Sequence, residues 1–166
     1  KPVERRERLE RAGELIQRYG IIGYRAPSLL RTRGLMRDLA NCYRYDSSIP
    51  TSGGLFPCPN NGCASARPFW VEGIAELPLS LPRDGSLLFL GHSPSEILNI
   101  WIHCAKEISR SGGVVVLLTH CANRFSGSPS MRQAYRSFLE FVGSSSQFAW
   151  SSTKEVLERA LFNKSL

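Results

Sequence analysis

Between residues 2 and 19 the apolar positions Leu9, Ala12, Ile16 and Tyr19 recur every three or four residues, with charges between them. That spacing predicts an amphipathic helix. Pro2 suits its first turn, where a missing N–H costs nothing, and Gly20 suits its end. Residues 21–24 read as a short buried strand and residues 25–28 as the loop at its end. A second helix over about 32–41 leads into a strand at 43–45 and the polar run Asp46-Ser47-Ser48. Helix, strand, polar loop, repeated, predicts a parallel sheet covered by helices. Residues 49–68 are rich in proline, glycine, serine and asparagine and read as a long surface loop. A strand at 74–77 follows, then a proline-containing loop over 78–91. Ile97, Ile100, Trp101, Cys104, Ala105 and Ile108 line one side of a helix over 95–111. Residues 113–120, Gly-Val-Val-Val-Leu-Leu-Thr-His, give five consecutive apolar residues, three of them β-branched, and so a strand buried on both faces. After a loop at 121–129, Met131, Ala134, Tyr135, Phe138, Leu139 and Val142 mark a helix over 130–142. A last strand at 147–150 precedes a final helix opened by the capping box Ser152-Thr-Lys-Glu155.

The length of 166 residues, with 42% hydrophobic and 21% charged residues, fits one globular domain able to bury a core. A net charge of +7 raises nucleic acid as a partner. The basic residues are scattered, however, and the dense run from Arg5 to Arg11 alternates with glutamates, as the wet face of a helix does. Nucleic acid is therefore not the expected partner. With no apolar run of eighteen residues, neither is a membrane. Cys42, Cys58, Cys63, Cys104 and Cys121 are an odd set that cannot all pair within the chain. Cys58 and Cys63 can close a small loop or supply half of a metal clamp, but no second Cys/His pair at zinc spacing completes one. The chain opens directly in a charged helix, as part of a longer domain would.

Three predicted strands end in Arg25, Asp46 and His120, and parallel neighbours would gather these residues at one rim. A carboxylate beside an imidazole fixes its tautomer and favours its protonated form, which a general acid requires. An arginine can grip a second carboxylate through two donors. The backbone N–H of Ser28, after Pro27, can face a developing oxyanion. The set suits hydrolysis of an amide or ester. His103 falls on the wet side of its helix, and His92 lies in a loop without a partner.

Gly-Tyr-Arg-Ala-Pro-Ser (23–28), Tyr-Arg-Tyr-Asp-Ser-Ser (43–48) and Leu-Leu-Thr-His (117–120) resemble the third, fourth and fifth motifs of the polysaccharide deacetylase family. Glu76-Leu77-Pro78 and the valine-rich approach to His120 resemble it as well. The resemblance runs over nearly the whole chain in the right order. It implies a partial or distorted (β/α) barrel with mainly parallel strands and outer helices, and removal of acetyl groups from N-acetylated carbohydrates with zinc or another divalent metal. It further implies that Arg25 orients a base, that Asp46 supports His120, that His120 protonates the leaving amine, and that the Ser28 N–H lies in the oxyanion hole. Tyr24, Pro27 and Leu118, within these motifs, are expected to contact substrate together with Trp70.

The same comparison shows what the chain lacks. The family's first motif is a pair of adjacent aspartates and its second a His-x-x-x-His pair, which supply the base and the metal ligands. Asp38, Asp46 and Asp84 are nowhere adjacent, and His92, His103 and His120 include no pair four apart. No metal ligand is assigned in this chain. No tryptophan follows Asp46-Ser47-Ser48, and Tyr24 and Ser28 vary the third motif, so the substrate groove is expected to differ. Residues 1–166 thus read as one deacetylase-like domain without its N-terminal half, inactive alone, with 49–68 as a loop-rich insertion. Its expected partners are an acetylated carbohydrate and either the missing half or a second copy at the open sheet edge. The competing readings are a non-catalytic glycan-binding relative, with Phe69 and Trp70 as a stacking surface, and a basic interaction module.

Overall fold

The structure, a computed structural model, describes residues 2–52 and 62–162. Helix α1 (Pro2–Tyr19) forms over the predicted range. Helix α2 (Arg33–Leu39) begins where the Thr32 hydroxyl accepts from the Leu35 N–H. Arg5 and Arg6 on α1 both reach Asp38 on α2, at 2.6 and 3.3 Å, and their guanidinium donors hold its carboxyl below the usual range. Part of the densest basic run is thus taken up in joining two helices.

Strands β1 (Gly23–Tyr24), β2 (Tyr45–Asp46), β3 (Phe69–Val71) and β4 (Ile74–Glu76) form one sheet in the order β1-β2-β4-β3. The first three in that order run parallel; β3 is antiparallel to β4. The sheet is open and mixed, which gives an α/β structure with helices outside a mainly parallel sheet and no closed barrel among the described residues. Strand β3 follows the expected 49–68 loop, at a place where no strand was expected. It exists because Glu72 and Gly73, with φ of 47° and 87°, make a two-residue hairpin turn that favours glycine. Ile74 meets Met36 and Leu39 of α2 in a small core on the helix-covered face.

The larger core lies between α3 (Asp84–Phe89), α4 (Pro94–Arg110) and α5 (Pro129–Ser144) and includes Leu87, Ile97, Trp101, Met131 and Phe138. Trp101 is fully buried, donates to the Pro82 carbonyl at 2.8 Å, and meets Phe138 edge to face. Helix α3 replaces part of the expected 78–91 loop. Helix α6 (Thr153–Leu157) starts in the expected capping box, with the Ser152 hydroxyl accepting from Glu155 N–H and the Glu155 carboxylate from Ser152 N–H.

Residues 113–120 run extended but make no regular ladder and are half-buried throughout. Val114 N–H donates to Ala66, and Val116 C=O accepts from Leu81 N–H. Between them the Ser80 hydroxyl donates to Val114 C=O and accepts from Val116 N–H. A side chain thus stands in for part of the ladder, beside a segment where Pro78 and Pro82 have no N–H to give. The expected strand at 147–150 is turn and irregular chain. Among the described residues no helix is long and apolar enough to cross a membrane.

Candidate functional site

Tyr24, Asp46 and Glu76 are register partners across the three parallel strands, so their side chains share one face. Ile74, two residues before Glu76, is on that face too and packs against α2. Asp46 and Glu76 are consequently fully buried. Ser48 ties them together: its hydroxyl donates to Asp46 Oδ1 at 2.8 Å, and its N–H donates to Asp46 Oδ2 and Glu76 Oε1, each at 3.1 Å. Ile49 N–H also donates to Glu76 Oε1. Glu76 Oε2 is a buried oxygen without a hydrogen-bond partner among the described residues. Burial, reinforced by the Asp46 charge, pushes the Glu76 carboxyl from 4.5 up to about 9, so it is protonated at neutral pH.

The loop after β1 is fastened to this cluster. Ala26 N–H donates to the Ser48 hydroxyl, and the Arg25 guanidinium donates to the carbonyl and hydroxyl of Ser47, all at 2.8 Å. Ser28 and Leu29 follow with φ of 53° and 56°. Two successive left-handed residues that are not glycine cost about 1–3 kcal/mol each, strain of a kind that clusters at binding and catalytic loops. Buried Leu29 and the bond from Ala26 hold the loop against it.

The second cluster lies at the end of the extended segment. His120 Nδ1 is 2.6 Å from Asp84 Oδ1, and His120 N–H donates to Asp84 Oδ2 at 2.8 Å. Asp84 also accepts from Gly85 N–H and from the hydroxyl and N–H of Ser126. Burial alone would raise this carboxyl, but the donors from Ser126, His120 and Gly85 outweigh it and hold Asp84 below 3.8. Its ionised contribution to stability is complete above 3.8 and is lost only at more acidic pH. An ionised carboxylate only accepts hydrogen bonds, so Nδ1 carries a proton and Nε2 is the atom left to exchange one. The imidazole side chain is 42% exposed. The pair is therefore an oriented, solvent-reachable proton donor or acceptor.

The expected partnership of Asp46 with His120 is corrected: the carboxylate on His120 is Asp84. The residues that follow β4 lie between β2 and the segment ending in His120, and Asp46 instead faces Glu76. The two clusters share no hydrogen bond or ion pair among the described residues. Arg25 keeps its place at a strand end and Ser28 its place in the strained loop. Tyr24 packs against Tyr43, with ring centroids 5.3 Å apart, on the helix-covered face. Pro27 is exposed in the loop, Leu118 is half-buried, and Trp70 is exposed on edge strand β3. His103 is exposed, as expected. Asp84 itself was missed, since the order of the motifs points to Asp46. The available signal was Pro-Arg-Asp-Gly, an aspartate opening a short turn of helix.

The described residues contain no group of three His, Cys, Asp or Glu side chains able to hold a metal ion. The zinc or other divalent metal that the motif resemblance implies is not fitted by the donors among the described residues. Cys63 is a free thiol and Cys58 lies outside the described residues.

No protein-family model and no curated protein matches the sequence. The chain does superpose on a crystal structure described as a "putative polysaccharide deacetylase" from Mycobacterium smegmatis, with a TM-score of 0.70 and 21% sequence identity. The match covers 96% of this chain and 57% of the other. The chain thus has a polysaccharide deacetylase-like α/β fold and spans somewhat more than half the length of the structure it resembles.

Proposed function

We propose that this chain is the acid-donating side of a carbohydrate N-deacetylase domain, in which residues 1–166 form part of a distorted barrel. The observation that carries the reading is the His120–Asp84 pair at the end of a strand-like segment in a deacetylase-like fold. Water attack on an N-acetyl group gives a tetrahedral intermediate whose C–N bond must break with a proton delivered to nitrogen. Protonated His120, held through Nδ1 by Asp84, gives that proton from Nε2 and releases the free amine and acetate. The N–H of Ser28 supports the oxyanion, and Arg25 orients a carboxylate base supplied from outside this chain. Pro27 and Leu118 border the acetyl group.

The rest of the domain is proposed to pair with residues 115–119. Val114, Val116 and His120 direct backbone bonds to one side, whereas Val115, Leu117 and Thr119 have no backbone partner among the described residues. An apolar groove of about 520 Å³, lined by Leu117, Phe138, Phe148 and Trp150 among others, runs along that edge.

The test measures acetate release from acetylated chitooligosaccharides, with metal analysis, for the 166-residue chain and for a polypeptide that joins it to Asp-Asp and His-x-x-x-His motifs. The chain alone is expected to bind no stoichiometric metal and release no acetate; the joined form is expected to do both. One metal per isolated chain, with acetate released, would overturn the reading.

The exposure of Trp70, at 51%, favours a second reading in which the chain binds glycan without cleaving it. Trp70→Ala is then expected to weaken chitooligosaccharide binding up to about tenfold by calorimetry, in line with 0.5–1.5 kcal/mol for an aromatic stacking contact. Unchanged affinity removes Trp70 from the glycan surface.

A further inference from the structure

We propose that Ser126 is a positioning residue that orients His120 through Asp84. Its functional meaning rests on the acid role given to His120 above, but its geometry does not.

Asp84 Oδ2 accepts from three groups: His120 N–H at 2.8 Å, the Ser126 hydroxyl at 2.6 Å and Ser126 N–H at 3.2 Å. Oδ1 accepts from Gly85 N–H at 2.7 Å and meets His120 Nδ1 at 2.6 Å. The two donors of Ser126 fix the rotation of the carboxylate and so keep Oδ1 under the imidazole. Without them only His120 N–H and Gly85 N–H restrain the carboxylate, and the acceptor under the ring is held less firmly.

Ser126 is buried and its own position is constrained from both sides. Before it, Phe125 N–H donates to Ala122 C=O at 2.8 Å, and the Phe125 ring lies against the His120 ring with centroids 4.9 Å apart. After it, Gly127 N–H donates to the same carbonyl at 3.2 Å, and Ser128 caps α5 by accepting from Met131 N–H. A Cβ on Gly127 would fall 2.1 Å from the Cys121 carbonyl oxygen, a distance no side chain tolerates. The loop can close here only with glycine, and its closure delivers Ser126 to Asp84 and Phe125 to His120 together. The lowered pKa of Asp84 agrees: burial pushes it up, and the Ser126 hydroxyl is foremost among the groups that bring it down.

The test is nuclear magnetic resonance on ¹⁵N-histidine- and ¹³C-aspartate-labelled chain. Wild type is expected to show neutral His120 as the Nδ1–H tautomer. In Ser126→Ala that tautomer is expected to become a mixture, and the Asp84 carboxyl to titrate about one pH unit higher through loss of a donor to its ionised form. Ser126→Thr, which keeps the hydroxyl, should restore both signals. If the alanine variant does not fold, Ser126→Cys, nearly isosteric but with a weak S–H donor, carries the same comparison. Wild-type tautomer and Asp84 titration in the folded alanine or cysteine variant, or a folded threonine variant that restores neither signal, overturns the proposal. The acid reading fails separately. If His120→Ala leaves acetate release intact in the joined polypeptide while Ser126→Ala shifts the tautomer, Ser126 remains a positioning residue and His120 is not the acid.

Discussion

Replacing His120 with alanine is expected to lower the turnover number for acetate release by about 100- to 10,000-fold, the range that general acid catalysis contributes. The measurement belongs to a polypeptide that joins this chain to the metal-binding and base motifs. KM should change by only a few-fold, because the proton from Nε2 matters where the C–N bond breaks and not where the sugar binds. Asp84→Asn should lower turnover as well. The amide has one acceptor where the carboxylate has two, and its NH₂ can turn toward the ring and favour the wrong tautomer. Asp46→Asn supplies the contrast. Asp46 is fully buried against Ser48 and Glu76 and shares no hydrogen bond or ion pair with His120 among the described residues, so its loss should act on stability with little effect on turnover. A raised KM with unchanged kcat in His120→Ala would exclude the acid role, and equal loss of turnover in the Asp46 and Asp84 variants would undo the contrast.

That contrast also shows where sequence patterns suffice. Periodicity located α1, α4 and α5, because an apolar stripe at helical spacing is a local signal; on α4 Ile97, Trp101, Ala105 and Ile108 are all buried as the spacing requires, whereas on α1 Leu9, Ala12 and Ile16 are only half-buried and Tyr19 is exposed. The capping box at Ser152 was readable because its two bonds are local. The partner of His120 was not readable in that way. Asp84 lies 36 residues before it, in a proline-containing stretch whose composition suggests loop, and its helix α3 has only six residues. Three polar strand ends in a row suggested that consecutive ends meet. That holds for Asp46 and Glu76, which are register partners. It fails for Asp46 and His120, because the chain after β4 comes between them. Strand β3 was hidden for another reason: Phe69-Trp70-Val71 is too short to show alternation, and only Gly73 announced the turn that makes it a strand. Glu76, on the other hand, was recognised as part of a motif, yet its burial depends on the arrival of α2 over the sheet, a tertiary event.

Glutamine at position 76 is expected to stabilise the protein at neutral pH. The native Glu76 carboxyl is raised to about 9 from an ordinary value of 4.5, chiefly by burial and then by the charge of Asp46. The folded chain therefore keeps a proton that the unfolded chain releases above 4.5. This group's contribution to stability is fully present below 4.5, declines as pH rises, and is gone once pH passes the folded value near 9. Each pH unit within that window removes up to about 1.4 kcal/mol, so at pH 7 the accumulated loss is on the order of 3 kcal/mol. Glutamine has the shape of the protonated acid and releases no proton. Its carbonyl oxygen can accept from Ser48 and Ile49 N–H as Oε1 does, and its NH₂ replaces the oxygen that has no partner. Urea unfolding should give wild type and Glu76→Gln nearly equal stability at pH 4.5, with the variant ahead by roughly 2–3 kcal/mol at pH 7 and by more at pH 8. Glu76→Ala should be destabilised even at pH 4.5, since it leaves a cavity and removes the acceptor of two N–H groups. A difference between glutamine and wild type that does not grow with pH would mean that Glu76 is ionised in the fold. The buried row across β2 and β4 would then need a cation beside it, and Arg25, whose guanidinium donates to Ser47 one residue past Asp46, is the nearest candidate in that loop.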